Sequence, residues 1–124
     1  MKEYRLTRYE LELMDVLWRR RDGTVQEVCD GLERELAYTT VMTSLSLLES
    51  KKGVLRRHKR GRAYVYRPTV TRQQVSRTVL QDLREVLFEN CLPSLVLSVL
   101  SEAELSEEDV DALGKALEEI KAAK

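Results

Sequence analysis

The chain of 124 residues has no apolar run long enough to cross a bilayer. The longest run, Leu95–Leu100, is interrupted by Ser98 and is far shorter than the ~20 residues that a spanning helix needs. The first ten residues, MKEYRLTRYE, contain no apolar segment of the kind found in secretory signals. We therefore expect no membrane insertion and a cytoplasmic location.

Cysteine and histidine are scarce, with two Cys residues and one His. Cys29 and Cys91 stand alone in the sequence, which predicts reduced, partly buried thiols rather than a structural disulfide. Neither has a second Cys, or His58, at ligand spacing, so no metal is expected. A hydrolytic enzyme needs a nucleophile, a base and an orienting group, and there is no Gly-rich phosphate loop. The chain is therefore predicted not to be an enzyme and to use no cofactor.

The zero net charge hides a division along the chain. Residues 1–77 contain 17 Lys and Arg against 10 Asp and Glu, a formal charge of +7. Residues 78–124 contain 4 and 11, a formal charge of −7. Such asymmetry indicates that the basic part meets an anionic partner while the acidic part does other work. Charge alone does not identify that partner.

Capping signals mark the starts of four helices. A Thr or Ser followed three residues later by an acidic residue or Gln can satisfy two free backbone N–H groups at a helix N-terminus. The four pairs are Thr7–Glu10, Thr24–Glu27, Thr71–Gln74 and the looser Ser106–Asp109.

Apolar spacing predicts how far the first three helices extend. The first runs to about Arg21, and the third ends at Lys51–Gly53. The second begins after Thr24 and has an inward stripe made of Val28, Leu32 and Leu36.

The third helix has an unusual composition. Its stretch TTVMTSLSLLES places Val41, Leu45 and Leu48 on one apolar stripe, while six of its twelve residues are Thr or Ser. Hydroxyl residues are mediocre helix formers because their side chains compete for nearby backbone groups. An ordinary solvated face would carry charges, so the hydroxyl face requires another explanation.

A basic β-hairpin follows this helix. Strands are predicted at Val54–Arg57 and Ala63–Arg67, joined by a Gly-containing turn at His58–Arg62, and Pro68 ends the pairing. The hairpin cations are Arg56, Arg57, Lys59, Arg60 and Arg62. Three short helices followed by such a hairpin form a winged helix-turn-helix, in which the third helix enters the DNA major groove.

DNA binding accounts for the hydroxyl face. Short side chains let a helix approach the bases, and hydroxyls bond to phosphates or base edges. The predicted DNA-binding residues are Tyr38, Thr39, Thr40, Thr43, Ser44 and Ser46 of the third helix and Lys59, Arg60 and Arg62 of the wing. Two alternatives remain open. The small residues could pack on a second helix, or the module could bind another protein without sequence-specific DNA binding.

The C-terminal part of the chain is predicted to be an α-helical dimerisation region. A long helix is predicted at Arg72–Asn90, a short one from about Pro93, and an amphipathic one near the C-terminus. Their apolar faces are broader than a 47-residue segment can cover by itself, which indicates a second copy. Folding back on the first domain, as a monomer, is the alternative. The predicted interface residues are Val79, Leu83, Val86, Leu87, Leu95, Val99, Val110, Leu113, Leu117 and Ile120.

The predicted fold is therefore mainly α with a small β-hairpin wing: a winged helix-turn-helix domain at 1–71 and a helical dimerisation domain at 72–124. Four segments then resemble the penicillinase-repressor (BlaI/MecI) family. They are LTRYELELMDVLW, AYTTVMTSLSLLESKKGVL, the Arg60-Gly-Arg-x-Tyr-x-Tyr hairpin and FENCLPSLVLSVLSEAELSEEDV. They cover nearly the whole chain in order. The resemblance implies a homodimeric repressor that occupies a palindromic operator in double-stranded DNA.

The resemblance also implies a means of control. In many family members a membrane-bound metallopeptidase sensor cleaves the repressor in its dimerisation helices, between an Asn and a Phe. The corresponding pair here is Ser98-Val99, which departs from the family. The copper-responsive relatives carry Cys-x-Cys pairs near the C-terminus, whereas this chain ends in EEIKAAK.

Overall fold

A computed structural model describes residues 4–124 as two compact units. The first unit ends at Gln81 and the second spans Asp82–Lys124. The elements are α1 (Arg8–Arg20), β1 (Gly23–Thr24), α2 (Val25–Gly31), α3 (Tyr38–Ser50), β2 (Leu55–Arg60), β3 (Ala63–Pro68), α4 (Arg72–Asp82), a π-helical turn (Leu83–Leu87), α5 (Leu92–Glu102) and α6 (Glu107–Ala122).

All four predicted capping boxes form. At α1 the Thr7 N–H donates to Glu10 Oε1 at 2.8 Å, and the Glu10 N–H donates to Thr7 Oγ1 at 3.1 Å. The same reciprocal pair of bonds opens α2, α4 and α6. These bonds satisfy N–H groups that the helix itself leaves free, so the four helix starts are confirmed.

The first unit has one apolar core. The predicted α3 stripe of Val41, Leu45 and Leu48 is fully buried, as are Met14 and Leu17 of α1. The remaining buried side chains of this core are Leu13, Val16, Val25, Val28, Val54, Leu55, Tyr66, Val70 and Val75. Burial of one α3 face fixes which of its residues point outward.

The second helix is shorter than predicted. It ends at Gly31, and Leu32 is already extended with φ −80° and ψ 144°, so the predicted continuation to Leu36 is wrong. Glycine is the poorest helix former after proline. Because it has no Cβ, Gly31 also lets the Val16 side chain of α1 pack closely against its backbone. A Cβ at position 31 would lie 2.8 Å from Val16 Cγ1. Leu32 and Leu36 pack against the core from the following loop.

The wing is part of a three-stranded antiparallel sheet in the order β1-β3-β2. The register pairs Leu55 with Pro68 and Arg60 with Ala63, so β2 extends beyond the predicted strand and the turn is shorter than His58–Arg62. Only Gly61 and Arg62 connect the strands. Gly61 has φ +64°, and a positive φ at the first turn position alone is typical of a type II′ hairpin. The short strand β1 was not predicted.

The start of α4 packs on the first unit. Val75 and Thr78 are buried, and the Tyr4 N–H donates to Thr78 Oγ1 at 3.0 Å. The Trp18 indole donates to the Val70 carbonyl at 2.9 Å, just before α4. The first packed unit therefore extends about ten residues past the sequence-based boundary at 71/72.

The long helix predicted at Arg72–Asn90 ends three residues early, at Leu87, and its last turn is π-helical. The α-helical pattern ends at Asp82, and the following turn is wider: the Phe88 N–H donates to the Leu83 carbonyl, five residues back, at 3.1 Å. Glu89 and Asn90 then adopt positive φ angles of 47° and 64°. This left-handed backbone is incompatible with a continuing helix, so the predicted extension to Asn90 is wrong.

The second unit leaves most of its apolar surface uncovered. Leu95 is the one buried side chain within residues 82–124, all of which are described. No helix within residues 4–124 is both long and apolar enough to cross a membrane.

Candidate nucleic-acid interface

The outward face of α3 carries the predicted hydroxyl groups. Thr39, Thr40 and Thr43 are exposed. Ser44 and Ser46 are half-buried. Tyr38 begins the helix and is 49% exposed. Much of the exposed face therefore consists of short polar side chains, which allow close approach of the helix backbone.

Two large apolar side chains share this face and were not predicted as site residues. Met42 and Leu47 are each 42% exposed. Their positions outside the Val41, Leu45 and Leu48 stripe were visible in the sequence. From Tyr38 to Leu48 there is no charged side chain at all. The candidate reading face of α3 is thus uncharged.

The wing contributes two cations, Arg57 and Arg62, to the lining of a groove beside α3. Lys59, Arg60 and Arg62 are all exposed. Arg60 Nη2 lies 3.4 Å from Asp22 Oδ2, whereas Arg62 has no ion pair within residues 4–124. The groove has a volume of about 580 Å³ and is lined by Tyr38, Met42, Thr43, Ser46 and Leu47 of α3, by Arg57, Arg62, Ala63, Tyr64 and Tyr66 of the wing, and by residues 24–26.

Arg57 connects α3 to the wing, a role that sequence reasoning missed. Its backbone N–H donates to Glu49 Oε2 at 3.0 Å, and its Nε lies 3.4 Å from Glu49 Oε1. Its guanidinium stacks 4.4 Å from the centroid of the Tyr64 ring. A hydrogen bond to Tyr66 and the Glu49 carboxylate raise the pKa of Arg57 above its ordinary value. These contacts hold the end of α3 against the hairpin.

The second candidate surface is apolar and lies in the second unit. Val86, Leu87, Val99, Val110, Leu113, Leu117 and Ile120 are exposed, as the dimer prediction requires. Leu83 is half-buried, and Val79 lies in the first unit. Leu95 was also predicted to meet a partner, but it is buried within its own chain, with 7% of its surface exposed, and offers little contact area.

Comparisons with known proteins identify the family. A family model described as penicillinase repressor matches residues 6–119. The chain belongs to the penicillinase repressor family. It is 32% identical over 114 residues to the penicillinase repressor of Bacillus licheniformis. The alignment covers 90% of this chain and 88% of that protein.

Two further relatives agree. The chain is 33% identical to the transcriptional regulator BlaI of Mycobacterium tuberculosis over 121 residues, covering 95% and 86% of the two chains. A solved structure of the DNA-binding domain of the repressor BlaI aligns with a TM-score of 0.50 at 32% identity, covering 59% of this chain and 90% of that one. The winged-helix fold and the resemblance are therefore confirmed. Since the family consists of transcriptional repressors, the prediction that the chain is not an enzyme is also confirmed.

The Ser98-Val99 pair, which the resemblance predicts as a regulatory cleavage position, lies inside a helix. Ser98 and Val99 are both exposed in the middle of α5. The Ser101 hydroxyl donates to the Ser98 carbonyl at 3.0 Å, which adds a bond to the helical backbone there. Access to this peptide bond therefore requires local unwinding of α5.

The two cysteines lie in different environments. Cys29 is half-buried, whereas Cys91 is exposed, not partly buried as predicted. The Ser94 hydroxyl lies 3.1 Å from Cys91 Sγ and lowers the pKa of that thiol, while burial raises the pKa of Cys29. Within residues 4–124 no group of three or more His, Cys, Asp or Glu side chains is arranged to hold a metal ion.

Proposed function

We propose that this family member is a cytoplasmic repressor that binds operator DNA as a homodimer through α3 and the wing. The observation that carries the proposal is the groove between α3 and the wing. It combines an uncharged helix face of hydroxyl and apolar groups with two cations of the hairpin, Arg57 and Arg62, and Lys59 and Arg60 are exposed on the same hairpin. A helix with this surface fits the major groove, while Arg60, Arg62 and Lys59 reach flanking phosphates.

Binding of a duplex across a salt series tests the DNA part. Phosphate contacts release counterions, so log affinity should fall linearly with log salt concentration. Thr43→Ala should reduce the preference for the selected duplex over a random one, because the Thr43 hydroxyl lies on the reading face. Arg62→Ala should weaken binding to both duplexes alike. Affinity that does not respond to salt contradicts DNA binding through this surface.

The exposed apolar side chains of the second unit support the dimer. A symmetric pair would place two α3 helices on one side of a palindromic duplex, about 34 Å apart or a multiple of that distance. Truncation should follow Gln81, because α4 up to Thr78 packs on the first unit. The truncated chain should be a folded monomer with much weaker operator binding, since its second half-site contact is no longer intramolecular. A full-length monomer at micromolar concentration in sedimentation contradicts the dimer.

A membrane metallopeptidase sensor that cuts near Ser98-Val99 would end repression. Replacing the family's Phe by Val after the bond removes apolar area, worth ~1–3 kcal/mol of discrimination, so cutting is slowed rather than abolished. Cutting separates α6 from the first part of α5 and shifts dimers towards weakly binding monomers.

An inserted site for an unrelated protease at this position tests the consequence of cleavage. The uncut insertion variant is the control, because the insertion itself alters α5. Unchanged operator affinity after complete cutting would show that the helices beyond residue 98 do not hold the dimer on DNA.

A further inference from the structure

The side chains that α3 lacks restrict which bases it can read. Specific contacts in the major groove follow a small code: Arg or Lys pairs with guanine, Asn or Gln with adenine, and Asp or Glu with cytosine. Tyr38–Ser50 contains no Arg, Lys, Asn, Gln or Asp. Its one acidic residue, Glu49, is already engaged by Arg57. Three of the four bases therefore have no dedicated partner on this helix.

What remains on α3 is suited to thymine. Thymine presents a 5-methyl group in the major groove, and apolar side chains contact it favourably. Met42 is a large apolar side chain, 42% exposed, in the second turn of α3. It lies in the N-terminal half of the helix, the part of a recognition helix that reaches the bases. The hydroxyls beside it can bond to either sort of base edge but select weakly among them.

The surroundings of Met42 favour DNA as the occupant of the groove. An exposed apolar patch commonly marks a protein or ligand contact. Here the patch is bordered by Arg57 and Arg62 in the groove, and Lys59 and Arg60 lie on the same hairpin. DNA is a polyanion that also presents thymine methyl groups, so it matches both the cations and the apolar side chains Met42 and Leu47 of the groove.

We propose that Met42 reads a thymine 5-methyl group in each operator half-site and is the main specificity-determining side chain of α3. This inference rests on the proposed DNA binding and names the base feature that α3 recognises. Removing one methyl contact should weaken binding about fourfold, from the transfer free energy of a methyl-sized group. With one such contact in each half-site, removing both should weaken operator binding by the dimer about 15-fold.

Uracil substitution tests the contact because it removes only the 5-methyl group and keeps base pairing. The probe is a 30-base-pair duplex selected from a random library by the full-length chain, made with thymine or with uracil. A scrambled duplex in both forms controls for changes in DNA flexibility. The variants are Met42→Ala and the matched control Leu47→Ala, an equally exposed apolar side chain on α3. Circular dichroism melting verifies that each variant is folded.

The full-length chain should bind the selected uracil duplex about 15-fold more weakly than its thymine form, with no difference between the two scrambled forms. Met42→Ala should lose this discrimination, and Leu47→Ala should retain it. The inference is overturned if the unsubstituted chain does not discriminate between the thymine and uracil duplexes, or if Met42→Ala still does. Loss of this discrimination in Leu47→Ala instead of Met42→Ala also overturns it. If no duplex binds with an affinity that falls as the salt concentration rises, the proposed DNA binding itself is overturned. This outcome is distinct from a failure of the Met42 assignment, in which DNA still binds.

A change of selectivity provides a second measurement. Met42→Arg introduces the guanine-reading side chain that α3 lacks. Sites selected from the random library by this variant should carry guanine where the unsubstituted chain selects thymine. An unchanged base at every position would show that residue 42 does not face the bases and would overturn the assignment.

Discussion

Leu117→Ala provides a quantitative test of the dimer. Leu117 is 64% exposed in the single chain, on the apolar side of α6 with Val110, Leu113 and Ile120. Full burial of a Leu side chain contributes ~1.5–3 kcal/mol, so covering the exposed share contributes about 1–2 kcal/mol in each protomer. A symmetric interface contains the residue twice. The Leu117→Ala substitution should therefore reduce the free energy of dimer formation by ~2–4 kcal/mol and raise the dimer dissociation constant ~30- to 700-fold.

Sedimentation equilibrium over a concentration series measures this change. Lys115→Ala is the matched control, because Lys115 lies on the opposite side of the same helix and should leave the dissociation constant almost unchanged. Leu117→Ala should also weaken binding to a two-half-site duplex much more than to a half-site, since dimer formation is coupled to the former. Equal dissociation constants for the two variants would refute the assignment of this α6 face to the interface.

Four other predictions concern the wing, the thiols and a helix cap. Arg60→Ala should lower the salt slope of duplex binding by about one unit, and Asp22→Asn should strengthen binding to all duplexes because it frees Arg60 from its 3.4 Å ion pair. Iodoacetamide should modify Cys91 at a lower pH than Cys29, since a hydroxyl hydrogen bond lowers the pKa of the first thiol and burial raises that of the second; equal pH profiles contradict this. Thr7→Ala should reduce the free energy of unfolding in urea by ~1 kcal/mol, and an unchanged value would show that this cap is not stabilising.

Recognition of the candidate site from sequence depended on α3 and the hairpin being regular elements. The period of Val41, Leu45 and Leu48 determined which α3 residues would be exposed, so Thr39 and Thr43 could be assigned to the outer face. Met42 is exposed on the same helix but is not among the predicted DNA-binding residues, because single exposed apolar side chains are common on protein surfaces and do not by themselves indicate a site. The Glu49–Arg57 contact joins two elements, and spacing along the chain does not indicate it.

The sequence by itself determined the helix starts, the buried stripe of α3 and the basic hairpin. Each of these depends on residues within a few positions of one another, such as the Thr7–Glu10 capping box. Only the tertiary structure decided that α2 stops at Gly31 and that α4 packs on the first unit. It also decided that Gly23 pairs with Tyr66 in a third strand. These features depend on contacts between residues far apart in the chain, and local propensity carries no information about which distant surface a residue will meet.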